Sequence, residues 1–243
     1  MDPLIVRNSM KCIYGPSKVS TSKSQFVVVC MVKNGEFFIK EFLDYYLQLG
    51  AHHIVLVDNG STDGTVKLAS QSQKVTVLQC LLPAKNYETY MRKYAAETFC
   101  KGGGWCLFAD MDEFFDYPGK DVKSMTEILN YLNENAYSAV VSQMVDMYPK
   151  GRIENSDGTP GTGIFLQKHI YYETETAKLI GYHDPLNPHW YFLKDNTIPA
   201  LNIPYARGGV RHRIFGTNGW LSKHPLVRVL PGVVPSTHPS CSS

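Results

Sequence analysis

The stretch 26-FVVVCMVKNGEFFIKEFLDYYLQLGAHHIVLVDNGSTDGT-65 sets the architecture. Residues 26–32 are an unbroken β-rich apolar run, the pattern of a strand buried on both faces. Lys33-Asn34-Gly35 ends the run. A helical pattern follows, with Phe37, Phe38, Phe42, Tyr45, Tyr46 and Leu49 at mixed three- and four-residue spacings and Gly50 as its cap. A second strand, Ile54–Val57, stops at Asp58-Asn59-Gly60, and Thr62 or Asp63 is placed to cap a helix starting near Thr65.

The alternation continues downstream. A strand is predicted at Val75–Leu78, a helix from about Tyr87 to Phe99, and a fourth strand at Trp105–Ala109 that stops at Asp110-Met111-Asp112-Glu113. Strand and helix in turn make an open α/β, Rossmann-like sheet of mostly parallel strands flanked by helices. In such sheets ligands bind beyond the carboxyl ends of the strands. Three polar clusters fall at that edge: Lys33-Asn34, Asp58-Asn59-Gly60 and Asp110–Glu113.

Past a helix at about Val122–Asn133 and a strand at Ser138–Val145 the regularity fades. Residues 148–205 interleave Pro and Gly with Tyr171, Tyr172, Tyr182, Trp190, Tyr191 and Phe192, which predicts long ordered loops forming a binding surface. A basic stretch follows: Arg207, Arg211, Arg213, Lys223 and Arg228. Upstream, residues 1–24 read as a loose arm with a short strand at Leu4–Val6. The expected organisation is that arm and one domain over 25–243, with a first ligand-binding half (25–120) and a second, loop-rich half (121–243).

The 243 residues are 44% hydrophobic and 19% charged, within the globular range and long enough to fold without staples. That excludes a disordered chain, a collagen-like repeat and a cysteine-stapled mini-protein. Net charge is +2, so no bulk field draws the surface to nucleic acid or anionic lipid, and no nucleic-acid motif occurs. The six cysteines include no CxxC pair, which removes zinc-ribbon and thioredoxin-type readings. With no apolar stretch of signal-peptide or membrane-spanning length, the expectation is a soluble, cytoplasmic protein.

The acidic cluster carries the most chemistry. In extended backbone, residues i and i+2 share a face, so Asp110 and Asp112 are expected to converge, and two close carboxylates repel unless a cation or a shared proton intervenes. Hard oxygen ligands suit Mg²⁺ or Mn²⁺, ions that also take phosphate oxygens. The same residues also read as a solvated acidic loop. Residues 57–65 place a carboxylate, an amide and free N–H groups beside a helix N-terminus, suited to a ribose, a base edge or phosphate. They also read as a turn with a helix cap. Neither GxGxxG nor GxxxxGK[ST] occurs, so dinucleotide and P-loop readings lack their fingerprints.

Residues 26–65, with WCLFADMDEFF at 105–115, resemble glycosyltransferases of the GT-A fold, in the family 2-like branch. The segments VDMYPKG (145–151), GGVRHRIFG (208–216), KHPLVR (223–228) and STH (236–238) resemble that branch too. One departure is Gly35, which stands between Asn34 and Glu36 where the family has Glu directly after Asn. The resemblance implies a nucleotide-sugar donor (UDP by family habit, with GDP or dTDP open), Mn²⁺ or Mg²⁺, and inverting transfer to a hydroxyl of a glycan or glycoconjugate acceptor.

Carried over by position, Asp58 and Asn59 would contact the nucleoside, and Asp110 the ribose or diphosphate. Asp112 would hold the metal, with His238 reaching the metal or diphosphate. Lys33, Asn34, Arg92 and Met111 complete the expected donor-binding set, Lys33 and Arg92 as phosphate neutralisers. Inversion needs one carboxylate to take the acceptor proton. Asp146, within VDMY, is the candidate, and Asp184 and Glu175 are the runners-up. The basic stretch would lie near the donor phosphates or in an acceptor groove. Two other readings stand beside this one. A sugar nucleotidyltransferase needs a Gly-rich basic loop after the first strand, which 30-CMVKNGEFFIK-40 lacks. A non-catalytic sugar- or nucleotide-binding module would keep the sheet without turnover.

Overall fold

The computed structural model describes residues 3–150, 165–187, 189–197, 203–217, 219–235 and 240–241. In chain order the elements are α1 (Pro3–Ser9), β1 (Lys11–Tyr14), β2 (Phe26–Val32), α2 (Ile39–Gln48), β3 (His53–Asp58), α3 (Thr65–Ala69), β4 (Val75–Gln79), α4 (Ala84–Phe99), β5 (Trp105–Phe108), α5 (Met125–Glu134) and β6 (Ala139–Gln143). Then come α6 (Phe165–Lys168), β7 (Ala177–Gly181), α7 (Trp190–Leu193), β8 (Pro204–Gly208), α8 (Gly209–Phe215), β9 (Ser222–Arg228), β10 (Val233–Val234) and β11 (Ser240–Cys241).

Seven strands form one sheet in the order β1-β4-β3-β2-β5-β9-β6. The parallel core is β4-β3-β2-β5; β1 and β9 flank it antiparallel, and β6 pairs antiparallel with β9 and so runs with the core. This mixed α/β arrangement is consistent with a GT-A-like fold. Alternation along the buried strands sends side chains to opposite faces. Val28, Cys30, Ile54, Leu56, Trp105 and Leu107 pack with Phe42 and Tyr46 of α2 and Leu129 of α5. Val27, Val29, Val55, Val57, Cys106 and Phe108 pack on the other face with Met91, Ala95 and Phe99 of α4. The continuous apolar runs arise because each central strand serves two cores.

Local signals explain the helix ends. Gly50 adopts φ 96° just past α2, a conformation a side chain would strain. Helix α5 opens with a capping box: Ser124 Oγ accepts from the Glu127 N–H while the Glu127 carboxylate accepts from the Ser124 N–H.

The N-terminal arm differs from expectation. Leu4–Val6 lies within helix α1, not a strand, and Val6 is buried with the α4 core. Strand β1, which the sequence did not announce, pairs antiparallel with β4. Its residues are mostly exposed, so no alternation marked it.

The second half of the chain is not a separate layer. Strand β9 lies between β5 and β6, with Leu107 opposite Leu226, a register that sets Lys223 level with Asp110. Tyr182, Leu193 and Tyr205 form a small satellite core beside the antiparallel β7-β8 pair. Segment 165–168 is tied to α2 by Glu41, whose carboxylate accepts from the Phe165 and Leu166 N–H groups at 3.0 and 2.7 Å.

Candidate functional site

Three loops meet at the carboxyl edge of β2, β3 and β5. The first two are joined by a ladder of short polar contacts. Asn34, at φ 57°, donates its N–H to Ser61 Oγ (2.9 Å) and accepts from the Thr62 N–H at Oδ1 (2.8 Å). The Gly35 N–H donates to Thr65 Oγ1 at 2.7 Å. Glu36 donates its N–H to Asp63 and accepts from the Gly64 N–H, both at 3.0 Å. Asp63, one of the two expected caps, closes the first turn of α3 by accepting from the Thr65 N–H at 3.0 Å.

Several expected donor contacts are thus engaged within the protein. Asp58 is fully buried, and its carboxylate accepts from the Gly60 and Ser61 N–H groups and from Gln79 Nε2. The Asn59 amide donates to the carbonyls of Cys80 and Leu82. Both residues fix the turn at the edge. Met111 is buried in the α2-side core, against Gly35. Lys33 is exposed.

The acidic cluster departs from the extended geometry expected of it. Strand β5 ends at Phe108, and Asp110 to Glu113 is a turn closed by a 3.0 Å bond from the Glu113 N–H to the Asp110 carbonyl. The shared-face rule therefore does not apply to Asp110 and Asp112. Asp110 turns to two cations: Arg92 Nη2 donates to Oδ1 at 2.5 Å and Lys223 Nζ to Oδ2 at 3.0 Å. Glu113 takes the same ammonium at 2.5 Å and accepts from the Asp110 N–H. Asp112 is exposed and makes no hydrogen bond or ion pair with a described residue.

Charge and burial work against each other here. Burial favours the neutral acid at Asp110, but Arg92 and Lys223 outweigh it and hold the carboxyl below its ordinary range. Burial likewise opposes the charge on Arg92 and Lys223, and their carboxylate partners raise both above their usual values. Arg92 is 5% exposed, and its Nη1 is buried without a partner. A buried guanidinium with an unmatched donor is costly unless a ligand oxygen completes it.

Asp146 sits beyond β6 and is gripped by Arg211 of α8, whose Nε donates to both carboxylate oxygens at 3.1 and 2.9 Å. That pairing, chiefly its hydrogen bonds, lowers the Asp146 pKa. The same pairing raises the Arg211 pKa, to which the charges of Glu113 and Asp112 add. Among the runners-up, Asp184 closes a turn through the Leu186 N–H, and Glu175 is exposed.

The basic stretch divides. Lys223 reaches the edge, whereas Arg228 donates to the Gly103 carbonyl at the amino end of β5. Arg207 stacks over Trp220, 6.0 Å from the ring centre. His238 lies outside the described residues. Lys223 and Glu113 as partners of Asp110 were not anticipated. The basic count near residue 223 was the available signal, and the pairing needed the register of β9.

Among the described residues no group of three or more His, Cys, Asp or Glu side chains is arranged to hold a metal ion. The open donor is the Asp112 carboxylate. A single hard oxygen of this kind fits an ion that takes its remaining ligands from a diphosphate and water.

No family model matches the chain. A glycosyltransferase family 92 protein of Oryza sativa subsp. japonica is 25% identical over 200 residues, covering 78% of this chain and 33% of its own length. The chain is similar to a glycosyltransferase. It spans about a third of that relative. The relative belongs to family 92 and not to the family 2-like branch that the motifs resemble. The crystal structure of S. aureus TarS aligns over 56% of this chain and 23% of its own, with 19% identity and a TM-score of 0.36. No described helix is long and apolar enough to cross a membrane.

Proposed function

We propose that this chain is a glycosyltransferase domain that moves a sugar from a nucleotide-sugar donor, UDP-linked, to a hydroxyl of a glycan or glycoconjugate, with inversion and with Mn²⁺ or Mg²⁺. The observation that carries the reading is the Asp110–Glu113 turn at the carboxyl edge of the parallel strands, where Arg92 and Lys223 neutralise Asp110 while Asp112 stays open. The family 92 relative supports glycosyl transfer, the general part of this reading.

In this reading Asp112 holds the divalent ion, which when bound supplies Lewis-acid charge to the diphosphate. The unmatched Nη1 of Arg92 donates to a donor oxygen, and the turn 58–61, whose N–H groups are spent within the protein, lies beside the nucleoside. Fixed donors stabilise negative charge as it develops on the leaving diphosphate, without reorganisation at that moment. Asp146 takes the proton of the attacking hydroxyl. Its pairing with Arg211 keeps it ionised, the state a base needs, at the cost of basicity.

The test is thermal stabilisation by UDP-sugars, GDP-sugars and dTDP-sugars, each with and without Mn²⁺. A ligand at a hundredfold excess over its dissociation constant adds about 2.7 kcal/mol, on the order of 5–10 °C for a chain of this size. A metal-dependent shift for one nucleotide, abolished in Asp112→Ala, supports the reading. No shift with any donor sinks it. A shift without turnover on any acceptor would favour the binding module.

A further inference from the structure

We propose that Lys223 is a positioning residue of the donor site, a role that rests on the donor reading above. Its ammonium lies between Asp110 and Glu113, at 3.0 and 2.5 Å, and so holds both ends of the turn that carries Asp112. Arg92 grips Asp110 from α4, through the other carboxylate oxygen. Each oxygen of Asp110 therefore has its own cation, one from each half of the chain. With Lys223 gone, two carboxylates that shared one cation face each other and repel, and the turn loses its second anchor. The Lys223 side chain is 22% exposed and that of Asp110 40%, so water partly screens the contact, and its weight lies in one ammonium being shared by two carboxylates.

The strand does not need the lysine to stay in place. Leu226 and Val227 of β9 are fully buried, and Ser222 bonds to Gln143 and to the Ala206 N–H. Removing the charge thus acts on the turn, not on the fold. The donor edge is completed only when β9 is paired to β5, so the first half of the chain does not carry a finished nucleotide site.

The experiment is a double-mutant cycle on the full chain with Lys223→Met, Asp110→Asn and the double variant, alongside Lys223→Arg. Binding of UDP, GDP and dTDP in Mn²⁺ is read by calorimetry, and folding by a thermal melt. Lys223→Met is expected to weaken binding of the preferred nucleotide about tenfold with a cooperative melt retained. Lys223→Arg should recover part of the loss. Asp110→Asn should cost several-fold less when added to Lys223→Met than alone, because coupled residues do not add. If wild type binds and the two losses multiply, or Lys223→Met binds as wild type does, the positioning role is overturned and the donor reading stands. If wild type binds none of the three nucleotides, both fall. Should Lys223→Met fail to melt cooperatively, the cycle run with Lys223→Arg decides by the same criterion.

Discussion

His53 shows how one buried residue ties local bonding to a global property. Its Nε2 lies 2.9 Å from Thr76 Oγ1, and that hydroxyl spends its proton on the Pro16 carbonyl at 2.7 Å. Nε2 therefore carries the hydrogen and donates it. Burial lowers the His53 pKa from 6.5 to about 4. Between those values the unfolded chain binds a proton that the folded chain does not, so stability falls as pH drops from about 6.5 to about 4 and levels off below. The loss reaches at most about 3 kcal/mol. Denaturant titrations at pH 7 and pH 4.5 measure it, and His53→Gln should flatten the slope. Asp146 poses the catalytic question at the same scale. Asp146→Asn should cut turnover at least about a hundredfold while leaving nucleotide affinity unchanged. Equal turnover in wild type and variant would remove Asp146 from the mechanism.

At the scale of elements, the loop after β2 and the turn after β3 behave as one unit. Gly35, the departure from the family pattern, has no room for a side chain. A Cβ there would stand 2.6 Å from Val32 Cγ2 and 3.3 Å from Met111 Cγ. Gly35→Ala should destabilise the protein by about 1–3 kcal/mol, as overpacking does, seen as a lower urea midpoint with unchanged slope. Glu36, displaced by that glycine, serves the N-terminus of α3 through the Gly64 N–H. Glu36→Ala should cost about 1 kcal/mol, the usual worth of a cap, by the same titration. A midpoint within error of wild type would show in Glu36→Ala that the two loops do not support each other, and in Gly35→Ala that the site has room for a methyl group.

For the whole molecule, the decisive feature is that one sheet takes strands from both halves of the sequence. A chain ending at residue 220 lacks β9, which pairs with both β5 and β6. It should show no cooperative melt and no nucleotide binding. A truncated chain that melts cooperatively and binds nucleotide would argue instead for an independent first half. The strands β2 to β5 were legible because two-sided burial writes itself as a run of apolar residues. Helix α4 and the cap of α2 were legible for equally local reasons. The exposed strand β1 left no such mark. The face rule for Asp110 and Asp112 failed because β5 stops at Phe108 and a turn follows. Patterns in the sequence thus settled the order of elements and the edge where the polar clusters gather, since both follow from short-range periodicity. Which carboxylates are neutralised and which stays open came from packing, because Lys223 meets Asp110 across 113 residues of chain, a separation at which no local rule links two residues.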